Sequence, residues 1–209
     1  MMFNHIEDKT LSRTVIKTRR RILEASFELF ARNGIFRTTM VDIADAVGLT
    51  RRTLYNHYDT KEELALLLHK LLLNDVLDNC NYKLQPGDMN KEGIKHCLVS
   101  LYNYLIKDSE RLAFTVYFDQ YARERNDLIG EENLFVNYLL NNTKIIEYFT
   151  QLKINGSFRD ASVAPELMAK ICFESLIAYL ERISFRLEAH KEQGIVKYHD
   201  YIMLIDKLL

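Results

Sequence analysis

At 209 residues, the chain can hold either one large domain or a small domain joined to a larger one. A hydrophobic share of 48% with 27% charged residues is that of a soluble globular protein and excludes extended disorder. The net charge of -1 hides an uneven distribution: residues 1–60 hold ten Lys/Arg against seven Asp/Glu, and the remainder is acidic. For contact with phosphate it is the local sign that matters.

Two prolines and seven glycines leave few breaks, so the expected fold class is all-α. The three cysteines, Cys80, Cys97 and Cys172, are odd in number, far apart and in apolar or helical contexts. They have no zinc spacing and read as reduced, buried thiols. The N-terminal residues lack the apolar core of a secretory signal. The longest apolar run, Leu64 to Leu73, is interrupted by His69 and Lys70 and is too short to span a bilayer. A cytoplasmic protein without a membrane segment is expected.

In chain order, Lys9, Arg13, Lys17, Arg19, Arg20 and Arg21 make a basic arm that can lie along phosphates or enter a minor groove. A solvated tail is the alternative for its first members. An amphipathic helix follows over about Thr18–Asn33, with Ile22, Ala25, Leu29 and Phe30 on one face. Asn33-Gly34 stops it. Thr39 caps a second helix, with Asp42 three positions on as a weaker capping-box partner. Gly48-Leu49 breaks that helix, and Thr50 caps a third running from Arg51 to about His57. A fourth opens at Asp59–Glu63 and continues to about Leu77. After a turn at Gln85–Asp88, helical patterns cover about Asn90–Lys107, Ser109–Arg125 and Glu131–Lys153. Asn155-Gly156 breaks the chain, and Pro165 suits the first turn of a helix reaching about His190. A last amphipathic segment covers Val196–Leu209.

The segment Ile43–Tyr55 has what a helix-turn-helix requires. Ala44 is small where two helices cross, Gly48 tolerates positive φ at the turn, and Ile43, Val47, Leu49 and Leu54 can fix the crossing. The third helix then presents its first residues to a major groove. Arg51 and Arg52 are candidates for reading guanine O6 and N7, or failing that for phosphates. Thr50 and Thr53 can contact phosphate or a base edge, and Tyr55 can reach phosphate through its hydroxyl. The bland alternative is that both arginines merely solvate a helix face.

The run Gly34-Ile35-Phe36-Arg37-Thr38-Thr39-Met40-Val41-Asp42-Ile43-Ala44, then Val47 to Tyr58 and Thr60-Lys61-Glu62-Glu63-Leu64, resembles the TetR family of bacterial regulators. The resemblance covers roughly the first third of the chain. It implies that Thr39 offers its hydroxyl or amide to phosphate and that Tyr55 and Lys61 touch the DNA backbone. Lys61 also lies beside a helix N-terminus, where an amine can share a phosphate with the free amides. His57 can reach phosphate or sit idle at the helix end. Tyr58 replaces the commoner Phe and reads as a packing residue. Arg52 stands where Gly is often found, which leaves base preference open.

Beyond the first four helices only the family's layout is matched. The expectation is a helix-turn-helix domain over 1–60 and a helical bundle over 61–209 that binds an effector and dimerises. Tyr102, Phe114, Tyr117, Phe118, Tyr121 and Tyr138 are candidate walls for a small apolar or aromatic ligand, with plain core packing as the alternative. Phe114, Tyr117, Phe118 and Tyr121 fall on one helical face. Met168, Ile171, Ser175, Ala178, Tyr179, Tyr201 and Ile205 are candidates for a homodimer interface, though an internal core gives the same pattern. No phosphate loop, nucleophile elbow or metal cluster is legible, so neither catalysis nor a cofactor nor a metal is expected. The leading reading is a ligand-responsive repressor on duplex DNA. The alternative is an architectural DNA-binding protein with no inducer.

Overall fold

The computed structural model describes residues 12–79, 90–158 and 160–187, with the single positions 203 and 207. The described elements are helical, with no strand among the described residues. They are α1 (Arg13–Asn33), α2 (Met40–Val47), α3 (Arg51–Tyr55), α4 (Lys61–Asn79), α5 (Lys91–Ile106) and α6 (Ser109–Glu124). There follow α7 (Asn126–Ile129), a 3-10 turn (Glu131–Asn133), α8 (Phe135–Asn142), α9 (Ile145–Ile154) and α10 (Pro165–Leu187). The all-α fold expected from the sequence is the fold observed. Lys9, Cys80, the Gln85–Asp88 turn, Tyr201 and Ile205 lie outside the described residues.

Two element boundaries differ from expectation for local reasons. Helix α1 begins five residues earlier than Thr18, because the Ser12 hydroxyl accepts the Val15 amide at 3.4 Å and caps it there. The pattern expected to run unbroken over Glu131–Lys153 is cut into three pieces. Thr143 donates its hydroxyl to the Leu139 carbonyl at 2.8 Å and accepts the Ile145 amide at 3.3 Å. A side chain that bonds its own backbone in this way competes with the helical ladder. Gly156 then takes φ +69° and ends the connection after α9.

The chain divides into two compact units, one from residues 1–75 with 113–134 and the other from 76–112 with 135–209. The first unit therefore extends past the boundary at residue 60 read from the sequence. The cause is burial: Leu64, Ala65, Leu68, Leu71 and Leu72 of α4 are buried, and so are Phe114 and Phe118 of α6. Helix α1 buries Ile22, Leu23, Ser26, Phe27, Phe30 and Ala31, while Ala25 and Leu29 are half-buried. The buried stripe is turned toward α6. The Phe114 ring lies 5.2 Å from Phe27, 6.4 Å from Phe30 and 6.1 Å from Phe118, centroid to centroid.

This placement favours the core-packing alternative for Phe114, Phe118 and Tyr121 over the ligand-wall reading. The helical face was legible, but it closes on α1 and α4 inside the first unit. Tyr117 borders Gly34, where an added Cβ would meet its ring at 3.5 Å. Tyr102 on α5 is buried in the second unit and Tyr138 on α8 is half-buried there.

His69 of α4 is wholly buried and stacks on Phe118, with ring centroids 3.8 Å apart and planes 7° from parallel. Burial disfavours the imidazolium and pushes its pKa down to about 3. Between that value and about 6.5, the unfolded chain takes up a proton that the folded chain refuses. Stability is therefore full above about pH 6.5 and falls as the pH drops below it. From pH 8 to pH 5 the loss expected from this one group is about 2 kcal/mol. Urea unfolding of wild type and His69→Leu across that range measures it. The variant's stability should be flatter with pH, and parallel losses in the two proteins would refute the assignment.

In the second unit, α10 packs on α9, α8 and α5. Its inward stripe is Met168, Ala169, Cys172, Phe173, Leu176, Leu180 and Ile183, facing a core that includes Leu98, Leu101, Leu105, Phe135, Leu139 and Phe149. Cys97 and Cys172 are buried thiols, and burial pushes the Cys172 thiol up to about 12. The Lys153 ammonium donates to the Val163 carbonyl at 2.9 Å and fastens the loop that leads into α10. No helix among the described residues is long and apolar enough to cross a membrane.

Candidate nucleic-acid interface

The turn between α2 and α3 is built by capping at both ends. At the start of α2 the capping box is complete. The Thr39 amide and hydroxyl both donate to Asp42 Oδ2, at 2.8 and 2.7 Å, and the Asp42 amide donates back to Thr39 Oγ1 at 3.2 Å. These bonds hold the Asp42 carboxyl below its ordinary range. At the far end Gly48 adopts φ +66°, ψ +36°. Its amide reaches Asp45 O at 3.1 Å, and the Leu49 amide reaches Ala44 O at 2.9 Å. This is the paired closure of a Schellman motif, and it needs the left-handed residue that glycine supplies. Thr50 then caps α3, accepting the Thr53 amide at 3.1 Å, and its hydroxyl pairs with that of Thr53 at 2.8 Å. Leu54, Ala44, Ile43 and Val47 are buried and fix the crossing.

What remains outward on α3 is Arg51, Arg52 and Tyr55, the last 48% exposed. None of these side chains has a hydrogen-bond or ion-pair partner among the described residues. Thr53 and His57 are half-buried at the margin of this face. Arg13, Lys17 and Arg37 are likewise exposed without a side-chain partner among the described residues. Arg37 was missed as a site residue in the sequence. Its signal there was a lone basic side chain two positions before the Thr39 cap.

The basic arm behaves otherwise than its clustering suggested. Arg19 Nε donates to the Tyr58 hydroxyl at 3.3 Å, and its guanidinium lies 4.8 Å from the centre of that ring. Arg20 pairs with Glu24 at 2.8 Å. Arg21 Nη2 donates to the Val47 carbonyl at 2.9 Å, at the C-terminal end of α2. Successive residues on a helix point about 100° apart, so three neighbouring arginines serve three different tasks. Tyr58 is buried as a packing residue, and burial raises its phenol pKa, with Arg19 opposing.

Two residues expected at the DNA backbone, Thr39 and Lys61, have partners within the chain. Both donors of Thr39 are engaged by Asp42, whose charge repels phosphate. Lys61 does not stand free at the start of α4. Its ammonium donates to the carbonyls of Ile35, Phe36 and Thr38 at 2.9, 3.3 and 3.1 Å. It also lies 5.6 Å from the centre of the Tyr121 ring. Partial burial lowers its pKa from the ordinary value, with Glu62 opposing and Arg125 adding to the shift. The Tyr121 hydroxyl donates to Glu62, and burial followed by that bond raises the phenol's pKa.

The family described as "Bacterial regulatory proteins, tetR family" matches residues 22–68, which are the helices just described. A solved structure of a TetR family regulator from a Shewanella species superposes over 90% of this chain and 96% of its own, with a TM-score of 0.67 at 19% identity. Residues 22–68 of this chain are of the TetR family type. Among curated relatives, the repressor KstR2 of Rhodococcus jostii is 28% identical over 119 residues, 55% of this chain and 57% of that protein. The chain spans about half the length of the curated relatives it matches. The fold is also that of the transcriptional regulator FadR from Bacillus subtilis, solved with stearoyl-CoA. That match has a TM-score of 0.66 at 18% identity over 90% of this chain and 94% of the other. The sequence resemblance to TetR regulators is borne out.

Proposed function

We propose that this protein is a transcription regulator of the TetR family that binds a pseudo-palindromic duplex as a homodimer and releases it when a small apolar or aromatic ligand binds. The observation that carries the reading is α3: five residues, capped at Thr50, presenting Arg51, Arg52 and Tyr55 outward without side-chain partners among the described residues. Arginines held this way on a rigid turn have the geometry for base edges or phosphates.

The dimer reading rests on α10. Leu167 and Ile171 are 51% and 39% exposed, and Ala178 is exposed on the same side. Ser175 and Tyr179 are half-buried beside them, whereas Met168 faces inward and leaves the candidate interface. Leu167→Glu with Ile171→Glu should shift the sedimenting species from dimer to monomer and weaken operator binding by about 10²-fold or more, since the second half-site is no longer held at high effective concentration. A monomeric wild type, or charged variants that remain dimers, would remove this part of the proposal.

The operator is found by enriching duplexes from a random pool. A two-fold sequence should emerge, with affinity falling by about 0.9 log units per log unit of salt for each phosphate contacted. No enrichment above random duplex would sink the regulator reading. FadR's stearoyl-CoA makes long acyl thioesters a first probe beside flat aromatic compounds, read by thermal shift and operator release. A panel that moves neither would favour the architectural alternative.

A further inference from the structure

The α1–α2 loop alternates buried and exposed residues: Ile35 and Thr38 are buried, while Phe36 and Arg37 project outward. It begins at Gly34, whose φ of +79° only glycine adopts readily, and ends at Thr39, the cap from which α2 starts. Within it the Thr38 hydroxyl donates to the Gly34 carbonyl at 2.9 Å. Three of its carbonyls, those of Ile35, Phe36 and Thr38, converge on one ammonium, that of Lys61. From the other side α6 supports it: Tyr117 lies beside Gly34, and the Tyr121 ring packs on Phe36 at 4.6 Å and on Lys61.

The geometry points to Lys61 as a positioning residue of the DNA-contacting face. It holds the Ile35–Thr38 loop, and so the start of α2, in place, rather than touching phosphate itself. This rests on the DNA-binding part of the proposed function. An ammonium has three donors and no acceptor, and here three carbonyls meet all three. Drawing it out to a phosphate would leave those carbonyls to be satisfied anew, two of them on the buried Ile35 and Thr38. A guanidinium cannot replace it, because its donors lie in one rigid plane and cannot converge on three carbonyls around a point. At a phosphate the order is reversed, since arginine is at least as good a partner as lysine.

The two roles are separated by Lys61→Arg and Lys61→Met in the full chain, with binding of the enriched duplex measured over a series of salt concentrations. The loop-holding role predicts that both variants bind about tenfold more weakly, the scale of one charge-assisted hydrogen bond. It also predicts a salt slope equal to wild type. A phosphate contact predicts wild-type affinity for Lys61→Arg, and for Lys61→Met a slope shallower by about 0.9; either result overturns the inference. Amide hydrogen exchange without DNA is the second readout. Amides of residues 36–40 should exchange faster in both variants, with those of α10 unchanged, and unaltered loop exchange would also overturn it. Failure of the wild type to bind any duplex would defeat the regulator reading itself, while exchange would still decide whether Lys61 holds the loop.

Discussion

Phe114→Ala is expected to destabilise the first unit by about 3–5 kcal/mol, the cost of deleting a fully buried aromatic ring. Operator binding should be lost along with it. The residue lies far along the chain from the helix-turn-helix, in what the sequence assigned to the effector domain. Its ring nevertheless fills the space between Phe27 and Phe30 of α1 and Phe118 of its own helix. Nothing in α1–α3 can close that gap, because Phe27 and Phe30 already face it. Denaturant unfolding and operator binding of the same preparations test the point. A sharper test is a fragment ending at Asp75, which lacks α6 altogether. It should show no cooperative unfolding transition. A fragment that melts like the intact chain would mean that α6 contributes little to this core.

The packing partners of α6 were not legible in the sequence for a physical reason. Periodicity identifies which face of a helix is buried, and Phe114, Tyr117, Phe118 and Tyr121 were legible as one face. It carries no information about what the face is buried against. That depends on contacts between residues distant in sequence, which a pattern within one helix does not encode. The helix-turn-helix was legible because its determinants are local: Thr39 with Asp42, Gly48 between Ala44 and Leu49, and Thr50 with Thr53. Each is a cap whose partners lie within a few residues, so the sequence contains both halves of every bond.

Charge was read least well, and again for a local reason. Sequence gives the sign of a side chain but not its direction. Arg19, Arg20 and Arg21 looked like one basic arm, yet each reaches a different partner, and Lys61 turns inward to three carbonyls. The stripe on α10 divided in the same way. Met168 and Ile171 were grouped by spacing, but Met168 belongs to the inward row and Ile171 to the outward one. One helix can hold an apolar stripe for its own core and a second for a partner, and spacing alone merges them.

Replacing both Arg51 and Arg52 by alanine is expected to cost about 2–6 kcal/mol of operator affinity, about 1–3 for each if each makes one good contact. The single variants should differ in kind. The two side chains leave α3 about 100° apart, so they cannot both address the same base edge. The one that faces the groove floor should lose affinity for the operator and much less for a scrambled duplex, at an unchanged salt slope. The one that flanks the groove should lose both about equally and flatten the slope by about 0.9. Fluorescence anisotropy on both duplexes over a salt series reads the two patterns apart. Because the two contacts fall on different groups, their costs should add to within a few tenths of a kcal/mol in the double variant. If both single variants behaved as phosphate contacts, α3 would grip only the backbone. Base discrimination would then have to come from Thr50, Thr53 or Tyr55 on the same face, since these are the remaining groups that α3 presents to a groove.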